Sequence, residues 1–180
     1  DPHWYLGMSS CGLVRPDGRC HEFAPVEYLY DELPFFVPTF VATANASATK
    51  SNQLYLYHEN EQDGVYCRFG SPATTSVTHL DSGTNFVVML GGKRRYILQS
   101  PEQCSKLSLL PAGHPSARHS TLNWSHPEEL HHVSGSEIVL QPGQVLYLPT
   151  YWFHTIVSLD TSYQCNTRTA SDIKDRAIVR

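Results

Sequence analysis

Proline and glycine cut this chain into pieces too short for long helices, and that punctuation limits the fold more than any other feature. There are 12 prolines and 11 glycines. From residue 53 onward they separate short runs rich in β-branched and aromatic side chains: 53–58, 65–69, 74–80, 85–90 and 94–99. Gly70-Ser71-Pro72, Asp81-Ser82-Gly83 and Gly91-Gly92 supply turn chemistry between them. Strands resume at 137–140, 145–148, 154–159 and 163–168, with Pro142-Gly143 as a further turn. Many short strands with few helices predict an all-β barrel or sandwich of the jelly-roll kind.

The remaining segments read as accessories. A short helix is expected over 23–33, ended by Pro34 and Pro38, and 42–51 reads as a loop of small residues. Pro101 should open a helix over 101–107 with Ser100 as its cap. Residues 108–136 form one long Pro- and Gly-broken excursion, and 170–180 reads as a helical tail cut short. The 180 residues fit a single domain: a flanking segment 1–52, a β core 53–169, and the tail 170–180.

Composition excludes several classes of function. With 41% hydrophobic and 17% charged residues the chain can bury a core, so it is not a disordered tail. Apolar runs reach about five residues, as at 86–90, far short of a bilayer span. A net charge of −4 gives no overall positive field for nucleic acid or an anionic membrane. The cysteines Cys11, Cys20, Cys67, Cys104 and Cys165 contain no C-x-x-C, which argues against a zinc knuckle. Cys11 and Cys20 flank Pro16-Asp17-Gly18, a turn that could bring the sulfurs together, although they also read as unrelated thiols. Asn45-Ala-Ser and Asn123-Trp-Ser are glycosylation sequons. The compartment stays open, with a lean toward the secretory lumen.

The sharpest chemical signal is Thr78-His79-Leu80-Asp81 at the end of a strand. Side chains alternate along a strand, so His79 and Asp81 share a face. An imidazole and a carboxylate there supply two of the three ligands of a facial triad, which leaves coordination positions open. His154, after Pro149-Thr-Tyr-Trp-Phe, is the best third ligand.

Together with the run from Gln141 to His154, these motifs give the span 70–168 a resemblance to the JmjC/cupin-like oxygenases, the asparaginyl-hydroxylase branch above all. The resemblance implies a double-stranded β-helix (jelly-roll), with short flanking helices. It implies Fe(II) held by His79, Asp81 and His154, with 2-oxoglutarate as cosubstrate and a protein or peptide as substrate. Hydroxylation of a protein side chain is the activity it favours. N-methyl-lysine demethylation and a non-catalytic binding module of the same fold are the rivals. Its cosubstrate residues fall on Tyr55, Ser76, Asn85, Arg94 and Asn166. Arg94 stands where lysine is usual, and Arg168 where that branch has tryptophan.

Strand alternation supports most of this assignment. Arg94, Tyr96 and Leu98 fall on one face, and a guanidinium ending an apolar row is costly unless it meets a carboxylate. The competing reading is a solvated arginine in Lys93-Arg94-Arg95. Ser76 lies an odd number of residues from His79, so sharing its face demands a bulge. The excursion 108–136 is expected to flank the site mouth, or to pack on the far side. His126, His131 and His132 have spacing that fits no H-E-x-x-H site and read as a solvated face.

Overall fold

The computed structural model describes residues 3–9, 29–36 and 64–169, apart from 127 and 129. Nine strands appear among them: β1 (Tyr5–Ser9), β2 (Val65–Gly70), β3 (Thr75–Leu80), β4 (Thr84–Gly91), β5 (Arg94–Gln99), β6 (Ser136–Leu140), β7 (Val145–Leu148), β8 (Phe153–Ser158) and β9 (Ser162–Thr169). They form a five-stranded sheet, β1-β2-β9-β4-β7, and a four-stranded sheet, β3-β8-β5-β6. The pairings nest around the excursion: β5 with β6, β4 with β7, β3 with β8 and β2 with β9, all antiparallel. The chain doubles back on itself and its two halves wind up together. This is a jelly-roll of the double-stranded β-helix kind.

β4 shows why the run 86–90 is apolar throughout. Val87 and Met89 face inward and join Tyr96, Leu140 and Leu148 between the sheets. Val88 faces outward and joins Val65, Cys67, Cys165, Leu29 and Phe36. A strand buried on both faces has no polar side, so its sequence loses the alternation of a half-exposed strand.

The strand readings from 65 onward agree with the structure to within a residue or so. β1 is a correction: no strand is expected in the flanking segment 1–52, yet Tyr5–Ser9 pairs along β2. Leu29–Glu32 is α-helical (α1) and Pro34–Phe36 is a 3-10 turn. Pro101 does open a helix, but a 3-10 one over Pro101–Lys106, and Ser100 makes no side-chain capping bond. The expected strand 53–58, the Cys11–Cys20 pair, Asn45 and the tail 170–180 lie outside the described residues. A disulfide that spacing did not reveal joins Cys67 to Cys165, 98 residues apart and directly opposite each other on β2 and β9.

Candidate metal centre and cosubstrate pocket

The site begins with an irregularity in β3. Ser76 pairs with Ile156 and His79 with His154, so β3 carries one more residue than β8 over the same interval. That bulge turns Ser76 to the side of His79, as the odd spacing requires. Because His79 and His154 are direct cross-strand partners, their rings lie only 4.2 Å apart between centroids. Asp81 follows immediately after β3. Tyr151, in the left-handed region at φ 59°, donates its N–H to Asp81 O at 2.9 Å. The two halves of the motif are thereby tied by backbone, with a strained residue at the knot.

Ligand atoms of His79, Asp81 and His154 all lie within 4.8 Å of one another. Both imidazoles are oriented by their own strands. His79 Nδ1 sits 2.8 Å from Val77 O and His154 Nδ1 3.1 Å from Trp152 O, so each Nδ1 donates and each Nε2 keeps its lone pair. Burial, reinforced by His154, lowers the His79 pKa to about 3, and burial likewise lowers that of His154. Burial alone would raise the pKa of Asp81, but Arg168 above all, with His154, His79 and Arg118, brings it below the usual carboxylate value. Two neutral imidazoles and one carboxylate are the protonation states a divalent cation needs.

Arg118 Nη1 donates to Asp81 Oδ1 at 2.8 Å. Arg168 Nη2 lies 2.7 Å from Oδ2, but off the line that a hydrogen bond requires. Asp81 Oδ2 is therefore a buried, charge-paired oxygen with no hydrogen bond among the described residues, 3.8 Å from His154 Nε2. An oxygen in that condition beside two free Nε2 atoms fits a metal ion.

His79 and His154 open onto a cavity of about 440 Å³ between the sheets. Ser76, Asn85 and Asn166 line it, and Asn166 Nδ2 donates to Asn85 Oδ1 at 2.9 Å. Arg94 does not line it directly. It is buried, 2% exposed, and sits against Tyr96, which does line the cavity. Its Nε donates to Ser162 Oγ at 2.9 Å and its Nη2 to Arg68 O and Ser162 O at 3.0 and 3.3 Å. All three acceptors are neutral and none uses Nη1. Lys93, by contrast, is exposed. Tyr55 lies outside the described residues.

Sequence reasoning missed several lining groups: Arg68, Arg118, His119 and Gln164. Gln164 was reachable, since it shares the Asn166 face of β9 by period two, and it accepts from Tyr96 Oη at 2.5 Å. His119 was not. It reaches the site through an isolated bridge to His79 and stacks on that ring, centroids 5.2 Å apart. The excursion thus meets both expectations. Arg118 and His119 flank the metal ligands, while Ser120 to Ser125 and Val133 to Ser136 pack over the outer face of the smaller sheet.

A family model described as a cupin-like domain matches residues 27–169. This chain belongs to the cupin-like family. Among curated proteins, the cupin-like chain is 30% identical over 97 residues to tRNA wybutosine-synthesizing protein 5 of Danio rerio, covering 51% of this chain and 28% of that protein. It is 30% identical over 102 residues to lysine-specific demethylase 8 of Xenopus tropicalis, covering 53% and 22%. To HSPB1-associated protein 1 of Rattus norvegicus it is 33% identical over 100 residues, covering 51% and 20%. The chain therefore spans less than a third of the length of these relatives. Among solved structures, YcfD, a ribosomal oxygenase from Escherichia coli in complex with cobalt and 2-oxoglutarate, is 19% identical with a TM-score of 0.39, covering 63% of this chain and 25% of that one.

Proposed function

We propose that this cupin-like chain is an Fe(II)- and 2-oxoglutarate-dependent oxygenase that hydroxylates a protein side chain. The observation that carries the reading is the pairing of a His79-Asp81-His154 ligand set with a buried arginine, Arg94, that meets no carboxylate among the described residues and sits against the cavity-lining Tyr96. Iron with 2-oxoglutarate and oxygen supplies the oxidising power to place oxygen on a C–H bond, the cosubstrate leaving as succinate and CO₂. The chain's own part is positional. His79 and His154 present Nε2, Asp81 presents Oδ2, and the backbone carbonyls behind the imidazoles hold their tautomers. Arg94, lying against the cavity-lining Tyr96, offers the distal carboxylate of 2-oxoglutarate a buried positive charge. That carboxylate would also relieve the cost of a buried cation that meets only neutral acceptors among the described residues. Ser76, Asn85 and Asn166 supply neutral hydrogen bonds, and Tyr55 remains assigned to the cosubstrate by its resemblance alone.

A protein substrate fits the net charge of −4, which supplies no overall positive field. The demethylase reading gains from the likeness to lysine-specific demethylase 8. One experiment separates them. Purified protein is incubated with Fe(II), ascorbate and 2-oxoglutarate, succinate and formaldehyde are measured, and candidate proteins are weighed by mass spectrometry. Succinate with a gain of one oxygen on a protein supports hydroxylation. Stoichiometric formaldehyde would assign demethylation instead, and no succinate under any condition would leave a binding module.

A further inference from the structure

The sequon Asn123-Trp124-Ser125 lies on the excursion, over the face of the smaller sheet turned away from the cavity that His79 and His154 line. A cavity of about 880 Å³ runs there, lined by Arg95, Ile97, Thr155 and Val157, which alternate along β5 and β8 with the inward Tyr96, His154 and Ile156. The fold splits the tripeptide. Trp124 is half-buried and its indole N–H donates to Thr78 Oγ1, which is bonded in turn to Thr155 Oγ1. Asn123 and Ser125 stay exposed. Asn123 Oδ1 accepts the Ser125 N–H at 2.9 Å, an Asx-turn that holds the side-chain amide in place. Among the described residues, its Nδ2 carries no hydrogen bond.

A second observation bears on where the chain matures. The Cys67–Cys165 disulfide is buried, with both residues 3% exposed or less, and crosses the central pair β2 and β9. Such a bond forms and persists in oxidising compartments, while cytosolic thiols are kept reduced. An exposed, pre-formed acceptor turn and a structural disulfide belong to the same compartment.

We propose that Asn123 carries an N-linked oligosaccharide, added in the secretory lumen where the Cys67–Cys165 bond forms. The donor class is a lipid-diphosphate-linked oligosaccharide. Asn123 Nδ2 bonds to the anomeric carbon and gives up one amide proton, the sugar–phosphate bond breaks, and the lipid diphosphate leaves. The glycan stem rises from the outer cavity rim, opposite the side on which 2-oxoglutarate would enter. This inference is independent of the proposed oxygenase activity.

The test is made on the full-length protein recovered from the cells that produce it. Peptides spanning Asn123 are released with a glycan amidase in heavy-oxygen water and read by mass spectrometry. The expected result is conversion of Asn123 to aspartate bearing the heavy oxygen, with Cys67 and Cys165 recovered as one linked peptide pair. Ser125→Ala keeps the Asx-turn, which uses only the Ser125 N–H, and should lose one glycan's mass; Asn123→Gln should lose the same. Recovery of Asn123 only as free asparagine overturns the proposal, as does full glycan mass in Ser125→Ala. Cys67 and Cys165 found as free thiols would overturn the assigned compartment and the proposal with it.

Discussion

The two faces of β9 do opposite work. Its inward row, Ser162, Gln164, Asn166 and Arg168, is wholly polar, and each member meets a site group: Arg94, Tyr96, Asn85 and Asp81 in turn. Its outward row packs. Tyr163 stacks on Phe69, Cys165 is bonded to Cys67, and Thr167 Oγ1 donates to Gly64 O. One strand thus separates chemistry from stability by nothing more than side-chain alternation. The inner face can hold four polar side chains because three are hydrogen-bonded and Arg168 is paired by charge with Asp81; the outer face holds the strand in place while they do so.

Substitutions on the two faces should therefore give different losses. The largest is at the metal. His79→Ala or Asp81→Ala should lower metal affinity by more than about 100-fold and abolish succinate formation, with a circular-dichroism spectrum like that of the parent. A variant that still binds one iron per chain would break the comparison. Next comes the outer face. Replacing Cys67 and Cys165 together with Ala should cost about 2–4 kcal/mol of unfolding free energy by denaturant titration, since the bond closes a loop of nearly a hundred residues. The KM for 2-oxoglutarate should not move.

Arg94→Ala should raise the 2-oxoglutarate requirement by roughly 30-fold, about 2 kcal/mol, since a buried charge partner is lost. Arg94→Lys should lose less, and Lys93→Ala should change nothing. An effect at Lys93 instead of Arg94 would move the anchor to the exposed side of the strand. The smallest effect belongs to Tyr96→Phe. It leaves Gln164 Oε1 without its donor and should cost about 1 kcal/mol, read jointly in stability and in 2-oxoglutarate KM.

How much of this could be read from sequence follows the same division. His79, Asp81 and His154 were legible because alternation and a short motif fix them locally, and the odd spacing of Ser76 already demanded the bulge seen between Ser76 and His79. The buried row of Arg94 and Tyr96 followed from period two. β1 was hidden because Tyr5-Leu6-Gly7-Met8-Ser9 lies at a sheet edge with Tyr5 and Leu6 exposed, so no in–out pattern marks it. The Cys67–Cys165 bond depends on β2 meeting β9, a pairing that spacing does not report. Arg118 and His119 reach the metal ligands through a loop whose path is set only by tertiary contacts.

The oxygenase function requires that the three ligands hold an iron that turns over 2-oxoglutarate. The direct measurement is succinate released from 2-oxoglutarate by the iron-loaded protein in air, with iron per chain determined on the same sample, for the parent and for His79→Ala. The expected result is one iron per chain and steady succinate release from the parent, with neither in the variant. An iron-loaded parent that leaves 2-oxoglutarate unchanged, or a variant that releases succinate as fast as the parent, would contradict it.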